Sequence, residues 1–311
     1  MRKNKTGALE ISFGWLFAII AGIVIIFLAI YLSTRLIGTE QETKSAETGK
    51  EIGILLNPLE TSFESAQTTS ITIPVDTRIN NGCELIGTFG RQTIQLDQKS
   101  FNEWTRTDIN VFFNNKYIFS VERVEGKRFY IFSKPFSFPF KIADLIYMTT
   151  VNEQYCFIGA PFNIEEELSN LNQANLLTEN CTGSEIKVCF NNEDCEINVD
   201  YNFGNVEKNG EVMYFDEGDD ALMYAGIFSS KDIYECQLKR LMMRVKTISI
   251  LYANKEIISE KEGCTEENLV GELGALSNLA ESLGNSEEIE GIKSLAESID
   301  IKNSGRRCPL W

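Results

Sequence analysis

Histidine is absent from this chain of 311 residues. Its absence excludes catalysis by Ser–His and Cys–His pairs, zinc sites with imidazole ligands, haem with an axial histidine, and pH sensing by imidazole. Most familiar hydrolase mechanisms are therefore unavailable. We predict that the chain is not an enzyme, and catalysis by paired carboxylates is the enzymatic alternative that remains.

Basic residues are scarce relative to acidic ones. The chain has 29 Lys and Arg against 45 Asp and Glu, which gives a formal charge of -16. A protein that works by neutralising phosphates needs the opposite balance. Nucleic acid is therefore not an expected partner.

Charged residues are missing from one long stretch near the start, between Ile11 and Leu32. About 20 apolar residues in a helix cross the roughly 30 Å hydrocarbon layer of a bilayer. We therefore predict a transmembrane helix over residues 11–36, surrounded by membrane lipid. A cleaved secretory signal is the alternative, but its apolar region is shorter, about 7 to 15 residues, and it ends in a small-residue cleavage site.

The basic residues around this helix predict its orientation. Arg2, Lys3 and Lys5 precede it, and Arg35 follows it. Basic residues concentrate on the cytoplasmic side of membrane helices. We therefore predict a cytoplasmic basic tail over residues 1–10, a single pass through the cell membrane, and an extracellular location for the bulk of the chain.

All eight cysteines follow the apolar stretch. An even number of cysteines on the outer side of a membrane predicts disulfides, and buried free thiols are the alternative. No two cysteines have the C-x-x-C spacing of common zinc sites, so neither a metal nor a cofactor is predicted. The disulfide candidates are Cys83, Cys156, Cys181, Cys189, Cys195, Cys236, Cys264 and Cys308.

Spacing favours particular bridges. Cys264 opens one predicted C-terminal helix and Cys308 follows the next, so two antiparallel helices would bring them together. Cys189 and Cys195 flank a five-residue loop in a predicted hairpin, where opposed residues are close enough to bridge. Cys236 would lie about 42 Å from Cys264 along a continuous helix. We expect it to pair with one of three others, namely Cys83, Cys156 or Cys181.

Small residues form a stripe on the predicted membrane helix. Gly14, Ala18 and Gly22 are four residues apart. Such spacing lets a second helix approach closely in lipid, although Gly and Ala are common in membrane helices in any case. We predict packing with another helix through this stripe.

The sequence Gly7-Ala8-Leu9-Glu10 lies between the basic tail and the apolar helix. This order of features resembles the N-terminus of archaeal type IV pilin-like proteins, whose class III signal is cut ahead of the helix. The resemblance covers residues 2 to 36. It implies cleavage after Gly7, a role for Glu10 in aligning subunits within a helical bundle, and assembly with copies of the chain or with pilin-like partners. An uncut signal anchor is the alternative.

The spacing of apolar residues divides the rest of the chain into three segments. Residues 37–67 are polar and predict a stalk or linker with a short helix that begins at Asn57. Alternating apolar residues predict an antiparallel, β-rich exported domain over 68–228. Helical spacing predicts a helical segment over 229–311, a hairpin or three helices packed on the β domain. The predicted fold class is therefore α+β, stabilised by disulfides.

Four features of the exported part have two interpretations each. The Phe-rich run 132–140 favours core packing, with an exposed aromatic binding surface as the alternative. The Asn180-Cys181-Thr182 sequon predicts glycosylation of Asn180, unless a bridge at Cys181 prevents it.

The acidic loop 216–220 predicts a solvated turn, with calcium binding as the alternative. The basic face of the first C-terminal helix, which includes Arg240, predicts a solvated surface, with docking of an acidic partner as the alternative.

These features predict a membrane-anchored structural or surface protein that assembles through its N-terminal helix, as a homo-oligomer or with pilin-like partners. The alternative is an anchored extracellular module that binds a glycan or a protein through the Phe-rich sheet. No catalytic, cofactor-binding or metal-ligating residue is predicted.

Overall fold

The structure is a computed structural model that describes residues 13–55, 67–100, 103–105, 110–190, 195–216, 218–261, 263–264 and 268–311. Within these ranges the chain forms an N-terminal apolar helix, two β-sheets and a group of C-terminal helices, with four disulfides. The predicted α+β class is confirmed. The predicted basic tail, residues 1–10, lies outside the described residues.

The first helix, α1, runs without a break from Phe13 to Leu55. Its 43 residues correspond to about 65 Å at 1.5 Å per residue. The backbone of residues 37–55 therefore continues the helix as a stalk, one of the two forms that the sequence left open. The predicted short helix beginning at Asn57 lies outside the described residues.

The first sheet has the strand order β3-β2-β1-β6-β7-β5, with β4 also paired to β2. All its pairs are antiparallel except β5 with β7, which are parallel. The strands are β1 Gln67–Glu84, β2 Arg91–Ser100, β3 Glu103–Thr105, β4 Asn110–Phe113, β5 Tyr117–Phe119, β6 Arg123–Ser137 and β7 Lys141–Thr150.

The first sheet is curled, so that the edge strand β5 comes close to β1 in the middle of the sheet. The backbone N–H of Asn81 on β1 donates to Glu122 O just after β5, at 2.8 Å, and the Asn81 amide donates to Ile118 O at 3.3 Å. Because side chains alternate along a strand, the two faces of the curled sheet bury different sets of residues. Its inner face forms a smaller core of Ile73, Ile79, Ile94, Leu96, Ile118, Val124, Phe129, Ile131, Ile146 and Met148.

The second sheet has the order β13-β12-β11-β10-β8-β9 and mixes parallel with antiparallel pairs. The prediction of an antiparallel domain is therefore wrong for this sheet, because the helix over residues 162–171 returns the chain to the same end of the sheet between β8 and β9. It packs with the other face of the first sheet and with the helices around a larger core that continues into residues 229–311. The strands are β8 Tyr155–Ile158, β9 Leu176–Leu177, β10 Ile186–Cys189, β11 Ile197–Asp200, β12 Asn205–Lys208 and β13 Glu211–Tyr214.

The hairpin predicted around Cys189 and Cys195 is wrong, because β10 and β11 pair in parallel. An antiparallel pair with the two cysteines opposed would set Ile197 opposite Lys187, and so mix apolar with charged side chains on one face. The parallel pair sets Val188 opposite Ile197 instead, and both are buried. Residues directly opposed across a pair share one face of the sheet, so burial selects the parallel register.

In the described residues, five α-helices follow the first sheet. The first of them lies within the segment predicted as β-rich; it starts after Pro161, without a side-chain cap, and ends at Leu171, where Asn172 takes a left-handed conformation. The later helices lie close to their predicted places, but α3 was not predicted. The helices are α2 Phe162–Leu171, α3 Asp220–Phe228, α4 Lys231–Lys261, α5 Val270–Ser282 and α6 Ile289–Ser304.

A buried guanidinium joins α4 to the first sheet. Arg240 is fully buried, which corrects its expected place on a solvated basic face. Its Nη1 donates to Lys116 O at 2.9 Å and to Gln237 Oε1 at 2.7 Å. Its other nitrogens donate to the carbonyl groups of three further residues, Phe89, Phe113 and Asn114.

The charge of Arg240 persists in this site. Burial lowers the pKa of the guanidinium to about 10, and the ring of Tyr117 lies 4.7 Å from it. The group therefore stays protonated at neutral pH and keeps its donors. A buried charge is tolerated only when its hydrogen bonds are satisfied, and here backbone carbonyl groups and Gln237 satisfy them.

Gly90 leaves the space that Arg240 occupies. Its φ is +59°, and a Cβ at this position would lie 2.7 Å from Arg240 Cγ and 2.7 Å from Glu84 O. Gly87 has a similar φ, +75°, but nothing within 4 Å of a Cβ. A substitution at Gly87 would therefore cause backbone strain alone, whereas a substitution at Gly90 would add a steric clash.

We expect Gly90→Ala to destabilise the protein by about 2–5 kcal/mol, since it combines left-handed backbone strain with overpacking. Gly87→Ala, the matched control, should cost only about 1–2 kcal/mol from the backbone. Urea unfolding of the detergent-solubilised protein with its disulfides intact measures both. Equal losses in the two variants would contradict the packing of Arg240 against Gly90.

A buried ion pair fixes the end of the described chain to α4. Arg306 donates through both terminal nitrogens to the two oxygens of Glu256, at 2.8 and 2.7 Å. The two side chains are 4% and 0% exposed. Breaking such a pair leaves one buried charge without a counter-charge.

We expect Glu256→Gln to lower the free energy of unfolding by about 3–5 kcal/mol. The control is Glu281→Gln, because Glu281 pairs with Lys246 at 2.6 Å while remaining 60% exposed. An exposed pair contributes less than about 1 kcal/mol. The same unfolding measurement applies, and a loss below about 1 kcal/mol for Glu256→Gln would contradict the burial of the pair.

Candidate functional site

The segment Gly14–Leu36 of α1 is an apolar surface that the described part of the chain does not cover. None of the segment is buried, and Trp15, Phe17 and Phe27 are between 62% and 71% exposed. Soluble proteins rarely expose apolar patches of this extent. By length and composition the segment is able to cross a membrane.

The small-residue stripe lies within this surface. A Cβ at Gly14 or Gly22 would meet nothing within 4 Å, so the stripe is open along the helix. An open stripe of small side chains permits close approach of another helix. Gly7 and Glu10, the residues expected to mark cleavage and subunit alignment, lie outside the described residues.

Four disulfides join all eight cysteines, so no thiol is free. The two bridges favoured by spacing, Cys264–Cys308 and Cys189–Cys195, are present. Of the three partners that were possible for Cys236, the structure pairs it with Cys83. That bridge ties β1 to α4 one turn before Arg240. The pairs are Cys83–Cys236, Cys156–Cys181, Cys189–Cys195 and Cys264–Cys308.

The glycosylation candidate Asn180 lies on the surface. It is exposed and has a φ of +58°, and the next residue, Cys181, is bridged. The hydroxyl of Thr182, the third sequon residue, donates to Glu185 Oε1 at 2.6 Å. The backbone N–H groups of Thr182 and Gly183 donate to Glu185 Oε2 at 3.0 and 2.7 Å. A single carboxylate therefore organises the loop that carries the sequon.

The Phe-rich run 132–140 lies inside the larger core. Its phenylalanines are at most 2% exposed. Phe132 packs edge-on against Tyr224 at 5.6 Å, and Phe140 packs against Trp311 at 5.3 Å. The core interpretation is confirmed, and the alternative of an exposed aromatic binding surface is wrong.

The acidic loop 216–220 uses its carboxylates within the fold. Asp216 pairs with Lys293 at 2.9 Å, and Asp219 accepts the backbone N–H of Leu222 at 3.1 Å as the cap of α3. Burial raises the pKa of Asp219 to about 6. In the ranges that the structure describes, no group of three or more acidic or cysteine side chains is arranged to hold a metal. The predicted turn is present, since the backbone N–H of Asp219 donates to Asp216 O at 2.9 Å, but the carboxylates of Asp216 and Asp219 are bonded within the fold rather than solvated.

A polar cluster that the sequence did not suggest lies beside this helix. Lys134 on β6 contacts Glu167 on α2 at 2.6 Å and Asp220 at 3.2 Å. The three residues are far apart in sequence, so spacing could not bring them together. One signal was available, because Lys134 is a charged residue within an otherwise apolar, buried strand segment.

No protein-family model, no curated protein and no solved structure matches this chain.

The loop at Glu185 yields a prediction about pH. Hydrogen bonds from Thr182 and neighbouring backbone groups lower the pKa of Glu185 to about 2, compared with about 4.3 for an ordinary Glu. A carboxyl whose pKa falls on folding stabilises the folded state above its unfolded pKa, and this stabilisation is lost as the pH falls through the folded pKa. We expect Glu185→Gln to be less stable than wild type at pH 7, with a gap that closes between about pH 4.3 and pH 2.

Thermal unfolding followed by circular dichroism from pH 7 to pH 2 measures this gap. Glu179→Gln is the control, because it removes a nearby exposed carboxylate, and a surface substitution of this kind should change the stability at pH 7 by less than about 0.5 kcal/mol. A gap for Glu185→Gln that stays constant across the range would contradict the role of the charged carboxylate.

Proposed function

We propose that this chain is a membrane-anchored, exported structural protein that assembles with copies of itself through α1. In this proposal the N-terminus is cytoplasmic, residues 14–36 cross the membrane once, and the disulfide-linked domain is extracellular. The role is structural, and α1 provides the surface through which the copies contact each other. Membrane lipid and a second α1 helix are the partners.

The exposed apolar helix is the observation that carries this proposal. Complete burial of one large apolar side chain stabilises a protein by about 1.5–3 kcal/mol. The described chain buries such side chains efficiently in its two cores but leaves fifteen of them exposed between Trp15 and Leu36. Contact with lipid or with another helix would remove the unfavourable free energy of exposing these side chains to water.

The disulfides support an extracellular location. Disulfides persist in oxidising compartments and are rare in the cytosol. All four bridges lie downstream of the apolar segment, and no cysteine lies within it. A single membrane crossing would place all of them on the oxidising side.

The open stripe of Gly14, Ala18 and Gly22 supports assembly rather than anchoring alone. Apolar side chains gain little by leaving lipid for a neighbouring helix, so helices associate in membranes through close packing at small residues. The resemblance of residues 2 to 36 to archaeal type IV pilin-like N-termini points the same way. A glycan- or protein-binding role loses its main support, because the phenylalanines on which it relied are buried.

One added cysteine tests the assembly. Ala18→Cys places a thiol within the stripe, while Ile20→Cys places it about 200° around the helix. Since every native cysteine is bridged, the added thiol is the single free one. Mild oxidation of intact membranes followed by non-reducing electrophoresis should give dimers of the Ala18→Cys protein and monomers of the Ile20→Cys protein.

Two outcomes would overturn the proposal in different ways. Recovery of the full-length wild-type chain in the aqueous fraction after membrane sedimentation would contradict anchoring. Equal cross-linking at both positions, or none at either in a membrane-bound protein, would contradict assembly through the stripe.

A further inference from the structure

Three charged side chains from distant parts of the chain meet at the start of α3. Lys134 Nζ lies 2.6 Å from Glu167 Oε2 and 3.2 Å from Asp220 Oδ2. The side chains of the three residues are 18–20% exposed. The amine of Lys134 therefore contacts two carboxylates at once, that of Asp220 and that of Glu167.

The two oxygens of Asp220 have different surroundings. Oδ2 faces the lysine, whereas Oδ1 accepts the hydroxyl of Tyr201 at 2.8 Å. Asp220 is also the first residue of α3, where the helix dipole stabilises negative charge. Oδ1 therefore has a hydroxyl donor beside it, and Oδ2 has the amine.

Glu167 is held in place by two hydrogen-bond donors. Its Oε2 accepts the hydroxyl of Tyr224 at 3.2 Å as well as the amine of Lys134. The ring of Tyr224 lies 5.4 Å from Lys134 Nζ and limits the space around the amine. Fixed geometry of this kind raises the effective concentration of reacting groups by orders of magnitude.

We propose that Lys134 and Asp220 form an intramolecular amide bond, with Glu167 as the proton carrier. One proton first moves from the ammonium group to the Asp220 carboxylate, which leaves a neutral amine and a carboxylic acid. Only the neutral amine has the lone pair that attacks carbon, and only the protonated carboxyl group loses its oxygen as water.

The bond-forming step then proceeds by addition and loss of water. Lys134 Nζ attacks Asp220 Cγ, and negative charge develops on Oδ1 beside Tyr201 and the helix N-terminus. Glu167 accepts a proton from Nζ and delivers it to the departing Oδ2. One C–N bond forms, one C–O bond breaks, and one water leaves. Glu167 ends in its original state, and nothing is oxidised or reduced.

The amide would join β6 to α3 across a sequence separation of 86 residues. It would add a fifth covalent link to the exported domain, and a reductant would not open it. This inference is independent of membrane assembly, because all three residues belong to the exported domain.

Peptide mapping of the full-length chain tests the proposal. The protein is extracted in detergent, reduced, alkylated, digested and analysed by tandem mass spectrometry. We expect one branched peptide that joins the segments containing Lys134 and Asp220, lighter than the sum of its parts by one water. Recovery of both segments as separate, linear peptides, with Lys134 open to an amine reagent after unfolding, would overturn the proposal.

Variants identify the roles of the three groups by the same mass measurement. Lys134→Arg keeps the charge but should give only linear peptides, and Glu167→Gln should do the same because the proton carrier is lost. Asp220→Asn should still branch, with loss of ammonia instead of water. Lys141→Arg is the control, since Lys141 pairs with Asp144 at 3.0 Å elsewhere in the first sheet, and its branched peptide should persist. Branching in Lys134→Arg would overturn the assignment.

Discussion

The burial of one positive charge, on Arg240, is the constraint on which the arrangement of the disulfide-linked domain depends. The guanidinium is out of water and must have its hydrogen bonds satisfied. Its acceptors are carbonyl groups at Phe89 and between residues 113 and 116, together with Gln237. Two turns of the first sheet are therefore fixed in place by one side chain of α4.

The same polar chain continues into the sheet and closes its curl. Gln237 donates to Gln92 on β2, and Gln92 in turn donates to Asn81 on β1. Asn81 reaches β5 through Ile118 O. Removing α4 would leave several buried polar groups without partners, so the helix and the curled sheet are expected to fold as one unit. The Cys83–Cys236 bridge secures the same junction covalently.

The sequence predicted the parts of the fold that depend on local pattern. The uncharged run predicted the first helix, the change to alternating residues predicted strands, and spacing alone favoured the Cys264–Cys308 bridge. The buried phenylalanines also followed from composition, because a folded domain hides large apolar side chains. Membrane crossing and assembly remain predictions from the same stretch.

The parts that sequence reasoning missed depend on contacts between distant residues. Arg240 looked solvated because its helix carries other basic residues, and only the carbonyl groups of the first sheet make its burial possible. Helix α3 was missed because residues 221–228 are all buried, so the helix has no polar face and no helical period. The parallel pairing of β10 with β11 was missed because the short loop suggested a hairpin, whereas burial of Val188 with Ile197 determined the register.

The order of the cysteines along the chain has a consequence for how the domain matures. Cys83 precedes its partner by 153 residues, and two complete bridges, Cys156–Cys181 and Cys189–Cys195, lie between them. During synthesis four wrong partners for Cys83 emerge before the right one. Oxidation in order of appearance would therefore trap mispaired species, so correct maturation requires either that Cys83 stays reduced until α4 docks or that a thiol-exchange catalyst rearranges the early bridges.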